Sequence, residues 1–148
     1  MRTLVVAAVF LLTTLRATMA VSAAQPERGG VLRITVSNVR SGHGHVHVTI
    51  CPQSHYLKDD CAYEAVAPAM QGETVAVLNG LPAGTYAAQV YFDENDNDKI
   101  DRTWIGIPEE GVGFSHDPTI SFHAPSFAET SFAFDGVAGS IAVRLRYF

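Results

Sequence analysis

Basic residues, long apolar runs and helical periodicity are what this chain of 148 residues has least of. Ten Lys and Arg stand against 15 Asp and Glu, a formal net charge of −5. No basic patch is available to neutralise phosphates, which excludes nucleic acid as a partner. Charged residues make up only 17% of the chain and apolar residues 47%, so it is not a disordered tail. No internal repeat or low-complexity tract points to a solenoid or a linker. Beyond the first two dozen residues no segment is apolar enough to cross a bilayer. The length fits one domain.

What is present begins with an export signal. Arg2 is the lone early charge, Thr3 to Leu15 is apolar, and the small residues Val21, Ser22, Ala23 and Ala24 follow. The competing reading is a membrane anchor, but an apolar run of about 13 residues falls short of the ~20 that a span takes. Residues 1–24 therefore read as a signal peptide, cut after Ala23 or Ala24. Residues 25–30 read as a flexible lead-in and residues 31–148 as a single domain. Cleavage removes Arg2 and Arg16 and no acid, leaving eight basic against 15 acidic residues, net −7. The expected location is periplasmic or secreted. In an oxidising compartment Cys51 and Cys61 are expected to form a disulfide, worth about 3 kcal/mol by the chain-entropy estimate. A metal-thiolate pair or two free thiols would be the alternatives, but no CxxC spacing supports them.

The hydrophobic period is two. Leu32, Ile34 and Val36 alternate with Arg33, Thr35 and Ser37, and Val46, Val48 and Ile50 with His45, His47 and Thr49. Val75 and Val77 lie in a third run. Tyr86, Ala88, Val90 and Phe92 form a fourth, Phe132 and Phe134 a short fifth, and Ile141, Val143, Leu145 and Tyr147 a sixth. Alternation over such lengths means strands with one buried face. Turn signals separate them at Arg40-Ser41-Gly42, Asn79 to Gly84 and Asp135-Gly136. The pattern predicts an all-β fold, an antiparallel β-sandwich of about seven strands, immunoglobulin- or prealbumin-like. The span from Asp93 to Ala128 reads as a long loop, and loops of that length are usually functional.

The strand ending at Phe92 runs into Asp93-Glu94-Asn95-Asp96-Asn97-Asp98-Lys99-Ile100-Asp101. Asp or Asn falls at positions 1, 3, 5 and 9 of a calcium-loop template, with an aliphatic residue at position 8. Calcium is a hard cation that takes six to eight oxygens, and a tightly turning loop aims alternate short side chains inward. Asp93, Asn95, Asn97 and Asp101 supply those side chains and the Lys99 carbonyl a further ligand. Ile100 is expected to tuck into the core. Position 6 is Asp98 instead of Gly, and position 12 is Trp104 instead of Glu; Glu109 or Glu110 is the candidate for the missing oxygens. The competing reading is a solvated Asx-rich turn without an ion. Five carboxylates in nine residues repel one another without a cation, which favours calcium.

Leu81-Pro82-Ala83-Gly84-Thr85-Tyr86-Ala87, the acidic loop, Gly106-Ile107-Pro108-Glu109-Glu110-Gly111-Val112-Gly113-Phe114-Ser115 and Ala124-Pro125-Ser126-Phe127 occur in that order. This set resembles the exported bacterial family called domain of unknown function 2141, over essentially the whole mature chain. Phe92 stands where the family pattern has His, Asp98 where it has Gly, and Ala124 where it has Pro. The resemblance implies a transthyretin- or prealbumin-like sandwich and export, with no activity attached. The acidic loop is also similar to calcium-holding loops in repeat domains of Gram-positive surface adhesins.

Other chemistry is weaker. His43, His45 and His47 alternate along a strand, where i and i+2 share a face and can chelate Zn²⁺ or Cu²⁺. With Val46 and Val48 facing the core, these histidines are expected to face solvent. Ser115-His116-Asp117 cannot form a hydrolytic triad, because adjacent residues do not converge in base-orienter geometry. Phe114, Phe122 and Phe127 are expected to plug the sandwich, and Trp104 with Tyr91 offers a stacking platform for a sugar. Together these features predict a non-enzymatic envelope binding or accessory module with a weak calcium site, whose partner is an unknown envelope protein or small ligand. The alternative is a periplasmic copper- or zinc-handling protein using His43, His45 and His47.

Overall fold

A computed structural model describes residues 29–121 and 123–148. The expected signal peptide, the first part of the lead-in and Phe122 lie outside the described residues. Two sheets face each other. One consists of β1 (Gly30–Val39), β4 (Gly72–Leu81) and β8 (Ala138–Arg144), in the order β4-β1-β8. The other runs β3 (Tyr63–Pro68), β2 (His45–Cys51), β5 (Gly84–Asp93), β6 (Gly111–Phe114), with β7 (Ser131–Phe134) also on β5. The alternating residues meet between the sheets: Leu32, Ile34 and Val36 from β1, Val46, Val48 and Ile50 from β2, and Val90 and Phe92 from β5 are buried. The all-β sandwich is as the periodicity predicts. In β4 the buried residues are Thr74, Ala76, Leu78 and Leu81, so Val75 and Val77 point outward.

Pairing is antiparallel except between β1 and β8, which run parallel from Val31 opposite Ala138 to Ser37 opposite Arg144. The chain leaves β7 at the end where β5 begins and turns at Gly136, and Val31 donates its N–H to the Val137 carbonyl at 3.0 Å. β8 therefore starts beside the start of β1 and must run the same way. At its far end Arg146 exchanges backbone hydrogen bonds with Val112 of β6 (2.8 and 3.0 Å), which ties the two sheets together.

Cys51 and Cys61 are disulfide-bonded, with Cα atoms 5.3 Å apart. The bridge joins the end of β2 to the segment entering β3. The expected loop from Asp93 to Ala128 is broken by β6, and at its end a short helix, α1 (Phe127–Thr130), opens with a capping box between Ser126 and Glu129. Phe114 and Phe127 both pack edge-on against Tyr56, at 6.4 and 5.6 Å between ring centres, and form a cluster beside the core instead of joining it.

Register gathers three connections at one end. Val39 lies opposite Gly72, and His45 lies opposite both Pro68 and Asp93. Residues 40–44, 69–71 and 94–110 are thus neighbours. Gly44 sits at φ +76°, and a Cβ there would run into the Asp93 carbonyl, so only glycine lets the β2 entry approach the acidic loop.

Candidate functional site

The site is built from the end of β5. Phe92 points inward, and Asp93, one residue on, is fully buried on the other side of the strand. Its carboxylate closes the loop: Oδ1 accepts the Asn97 N–H at 3.1 Å and Oδ2 the Asp98 N–H at 2.7 Å. Asp96 and Asp98 adopt φ +58° and +59°, the left-handed region that short polar side chains tolerate best after glycine. The replacement of Gly at position 6 is therefore accommodated by the backbone conformation a glycine would take.

Three of the expected ligands converge. Asn95 Nδ2 and Asn97 Nδ2 donate to the same oxygen, Asp101 Oδ2, at 2.7 and 2.8 Å. Asn97 Oδ1 accepts the Lys99 N–H at 3.1 Å. Glu110 does return to the loop, but both of its oxygens take backbone N–H groups, from Glu94 and Asp101, each at 3.2 Å. It clamps the first and last residues of the loop. Burial above all raises its pKa, the charges of Asp93 and Asp101 push the same way, and the two N–H groups oppose them. Glu109 is exposed and holds the loop through its N–H to the Asp101 carbonyl at 2.9 Å. Ile100 is only half-buried and does not reach the core.

The three histidines part company, and this corrects the reading of His43, His45 and His47 as one solvent-facing chelate. His43 is exposed. His45 Nδ1 lies 2.6 Å from Asp96 Oδ1. His47 lies on the outer face, as parity requires, but its side chain is only 8% exposed. It sits opposite Tyr91 in the register and stacks on that ring at 4.6 Å and 12°. Its Nδ1 is 3.3 Å from Glu64 Oε1. Side chains two apart on a strand stand about 6.5 Å from each other, so separate partners easily draw them apart. Among the described residues, the only group of three or more His, Cys, Asp or Glu with ligand atoms mutually within 4.8 Å is His47, Asp93 and Asp98. His55 stands beside Asp60 in the disulfide loop, away from this group.

Tyr91 stacks on His47 of β2, so one face of its ring is already covered. Its phenol is pushed up to about 12, by burial first and then by Asp93, Glu64, Asp98 and Glu110. Trp104 is 97% exposed at the tip of a turn held by Thr103, whose N–H donates to the Ile107 carbonyl at 2.8 Å. The Ser115 hydroxyl is buried between backbone groups of Ala88 and Thr130, His116 lies against the Ser131 carbonyl, and Asp117 accepts the Arg144 N–H. The three side chains serve three different segments.

Arg40 pins the loop from outside. Its guanidinium pairs with Glu94, which also accepts the Ser41 hydroxyl at 2.7 Å, and lies 4.7 Å over the Tyr147 ring. The hydrogen bond from Arg40 holds the Glu94 carboxyl below its ordinary 4.5. A depressed carboxylate pKa contributes stability that is present above the unfolded value and lost as pH falls through the folded one. Arg40 is half exposed, so Arg40→Ala should cost only about 0.5–1 kcal/mol near neutral pH. It should also flatten the loss of stability below pH 4.5. Urea unfolding of both proteins at neutral and acid pH measures this; parallel pH curves would remove Arg40 as the cause.

Neither a curated protein nor a solved structure matches the chain. A family match does exist, and it spans β1 to β8, with the acidic loop and the Glu110 clamp inside it. The family is described as an uncharacterized protein conserved in bacteria (DUF2141), it matches residues 34–142, and the chain belongs to it.

Proposed function

We propose that the protein is an exported, non-enzymatic binding module of the cell envelope whose acidic loop takes calcium. One observation carries the calcium reading: Asn95, Asn97 and Asp101 bring their side-chain ends to one point above the buried Asp93. Turning the two amides about their last torsion replaces each NH₂ by an oxygen. Two amide-to-carboxylate hydrogen bonds then become oxygen ligands to a cation beside Asp101. The Glu110 clamp and the left-handed Asp98 hold the loop in the curled form this needs. Export rests on the pattern of residues 1–24 and places the module in a compartment rich enough in calcium for a weak site. The partner is an envelope protein or a small ligand.

With no bidentate Glu at position 12, the affinity belongs in the weak class, Kd about 10⁻⁴–10⁻³ M. At ten times Kd the cation adds about 1.4 kcal/mol. For a domain of this size that is a rise of roughly 5 °C in Tm. Thermal unfolding with millimolar Ca²⁺ and with EDTA is the test, with Mg²⁺ as control. The parent protein should respond, and Asn95→Ala and Asp101→Ala should not. An unresponsive parent, or an equal response in Asp101→Ala, would end the calcium reading.

A further inference from the structure

Beside the oxygen loop, and beyond the calcium reading, lies a group of different chemistry. We propose that His47 Nε2, Asp93 Oδ2 and Asp98 Oδ1 form a site for a late first-row divalent metal of the zinc class, with Glu64 orienting the imidazole. The three atoms lie mutually within 4.8 Å, with Nε2 3.8 Å from Asp93 and 3.9 Å from Asp98.

His47 supplies what an acidic cluster alone lacks. Its side chain is more than nine-tenths buried, and Nε2 hydrogen-bonds to nothing among the described residues. The ring cannot turn away. It is stacked on Tyr91 at 4.6 Å, and Nδ1 faces Glu64 at 3.3 Å. An ionised Glu64 only accepts, so Nδ1 carries the proton and Nε2 in the neutral ring presents a lone pair. That nitrogen faces the carboxylates of Asp93 and Asp98 at 3.8 and 3.9 Å. The separations are too long for direct hydrogen bonds. Bonds of about 2.1 Å put tetrahedral neighbours about 3.4 Å apart. A metal would therefore draw in the two His47 separations of 3.8 and 3.9 Å by a few tenths of an ångström and bring the two carboxylates, now within 4.8 Å, together by moving the exposed Asp98 side chain. A carboxylate on the far ring nitrogen is the arrangement that metal-bound histidines use.

Two ligands are held in advance and the third is mobile. His47 and Asp93 are buried, and Asp93 Oδ2 accepts the Asp98 N–H, which keeps the Asp98 backbone over the site. The Asp98 side chain is 89% exposed and can close over an incoming ion. One imidazole with two carboxylates suits zinc and its neighbours, whereas the Asn95–Asn97–Asp101 group offers oxygen alone and suits calcium. Asp93 borders both.

The test is calorimetric titration of the intact, disulfide-bonded protein with Zn²⁺. One ion per chain is expected. His47→Gln should weaken binding at least 100-fold and Glu64→Gln about 10-fold. His43→Gln and His116→Gln should leave it unchanged. Asn95→Ala should keep zinc binding while losing the calcium response, so the two sites fail separately. Long-range nitrogen spectra of the unmutated protein serve if His47→Gln does not fold: Zn²⁺ should shift His47 Nε2 while Nδ1 stays protonated. Parent-like affinity in His47→Gln, loss in His43→Gln instead, or an unmoved Nε2 signal each overturns the proposal.

Discussion

Asp93→Ala should lose about 2–4 kcal/mol of unfolding free energy in metal-free buffer, because two N–H groups lose a charged acceptor. Those groups belong to Asn97 and Asp98, at the point where the chain enters its left-handed turn. A buried carboxylate among other acids also carries a repulsive cost, and the sign depends on which is larger. Of the like charges around it, Asp98 is almost entirely exposed, so water screens it to well under 1 kcal/mol, and the buried Glu110 carboxylate is held by two backbone N–H groups of its own. The hydrogen bonds are local and Asp93 is fully buried, so their loss is larger. The same substitution should abolish the calcium and zinc responses together. Asp93→Asn keeps one acceptor and should lose about half as much stability. Urea midpoints with unchanged m-values measure the effect. A loss under ~0.5 kcal/mol would mean the loop holds its shape without this carboxylate.

Six of the eight strands are legible as alternation; in five the larger apolar residues face inward, whereas in β4 the alternating Val75 and Val77 are the outward set. The other two hide for identifiable reasons. In β3 the inward residues are Tyr63, Ala65 and Ala67, while Val66 points outward, so the contrast in size and polarity is nearly reversed. In β6 two of four residues are glycine. A Cβ at Gly111 would meet the Tyr147 ring and one at Gly113 the Val143 side chain, so close packing removed the very side chains that would have shown the period. The parallel run of β8 follows from where a turn delivers the chain, which periodicity does not encode.

The acidic loop is legible for the opposite reason: its donors are adjacent in sequence and the spacing is the geometry. His47 is not. Parity correctly puts it on the outer face, but its burial depends on Tyr91, Glu64 and the returning loop, all placed by strand register. Alternation distinguishes the two faces of a sheet and is silent about what later covers the outer one. Glu110 is similar. The sequence offers it as a possible metal ligand, and only the return of β6 alongside β5 turns it into a clamp on two backbone amides.

Ser115 is the second position where one side chain holds much of the structure. β5 changes partners along its length: Gly84–Ala87 pairs with β7 and Gln89–Phe92 with β6, leaving Ala88 between them. Ser115 serves both backbone groups of that residue. Its N–H donates to the Ala88 carbonyl at 3.1 Å, and its hydroxyl accepts the Ala88 N–H at 2.9 Å while donating to the Thr130 carbonyl. Everything there is buried. Ser115→Ala leaves a buried N–H and a buried carbonyl without partners, and at about 1–3 kcal/mol for each group the loss should be about 2–4 kcal/mol. Calcium binding should survive, since the loop lies at the other end of β6. Ser115→Cys, with a weak donor of similar size, should fall between the two. Hydrogen exchange adds a local reading: the Ala88 amide should lose protection by more than the Val90 amide does. A loss below ~1 kcal/mol with Ala88 still protected would mean that water takes the place of the hydroxyl, and that the junction of β6 and β7 does not depend on Ser115.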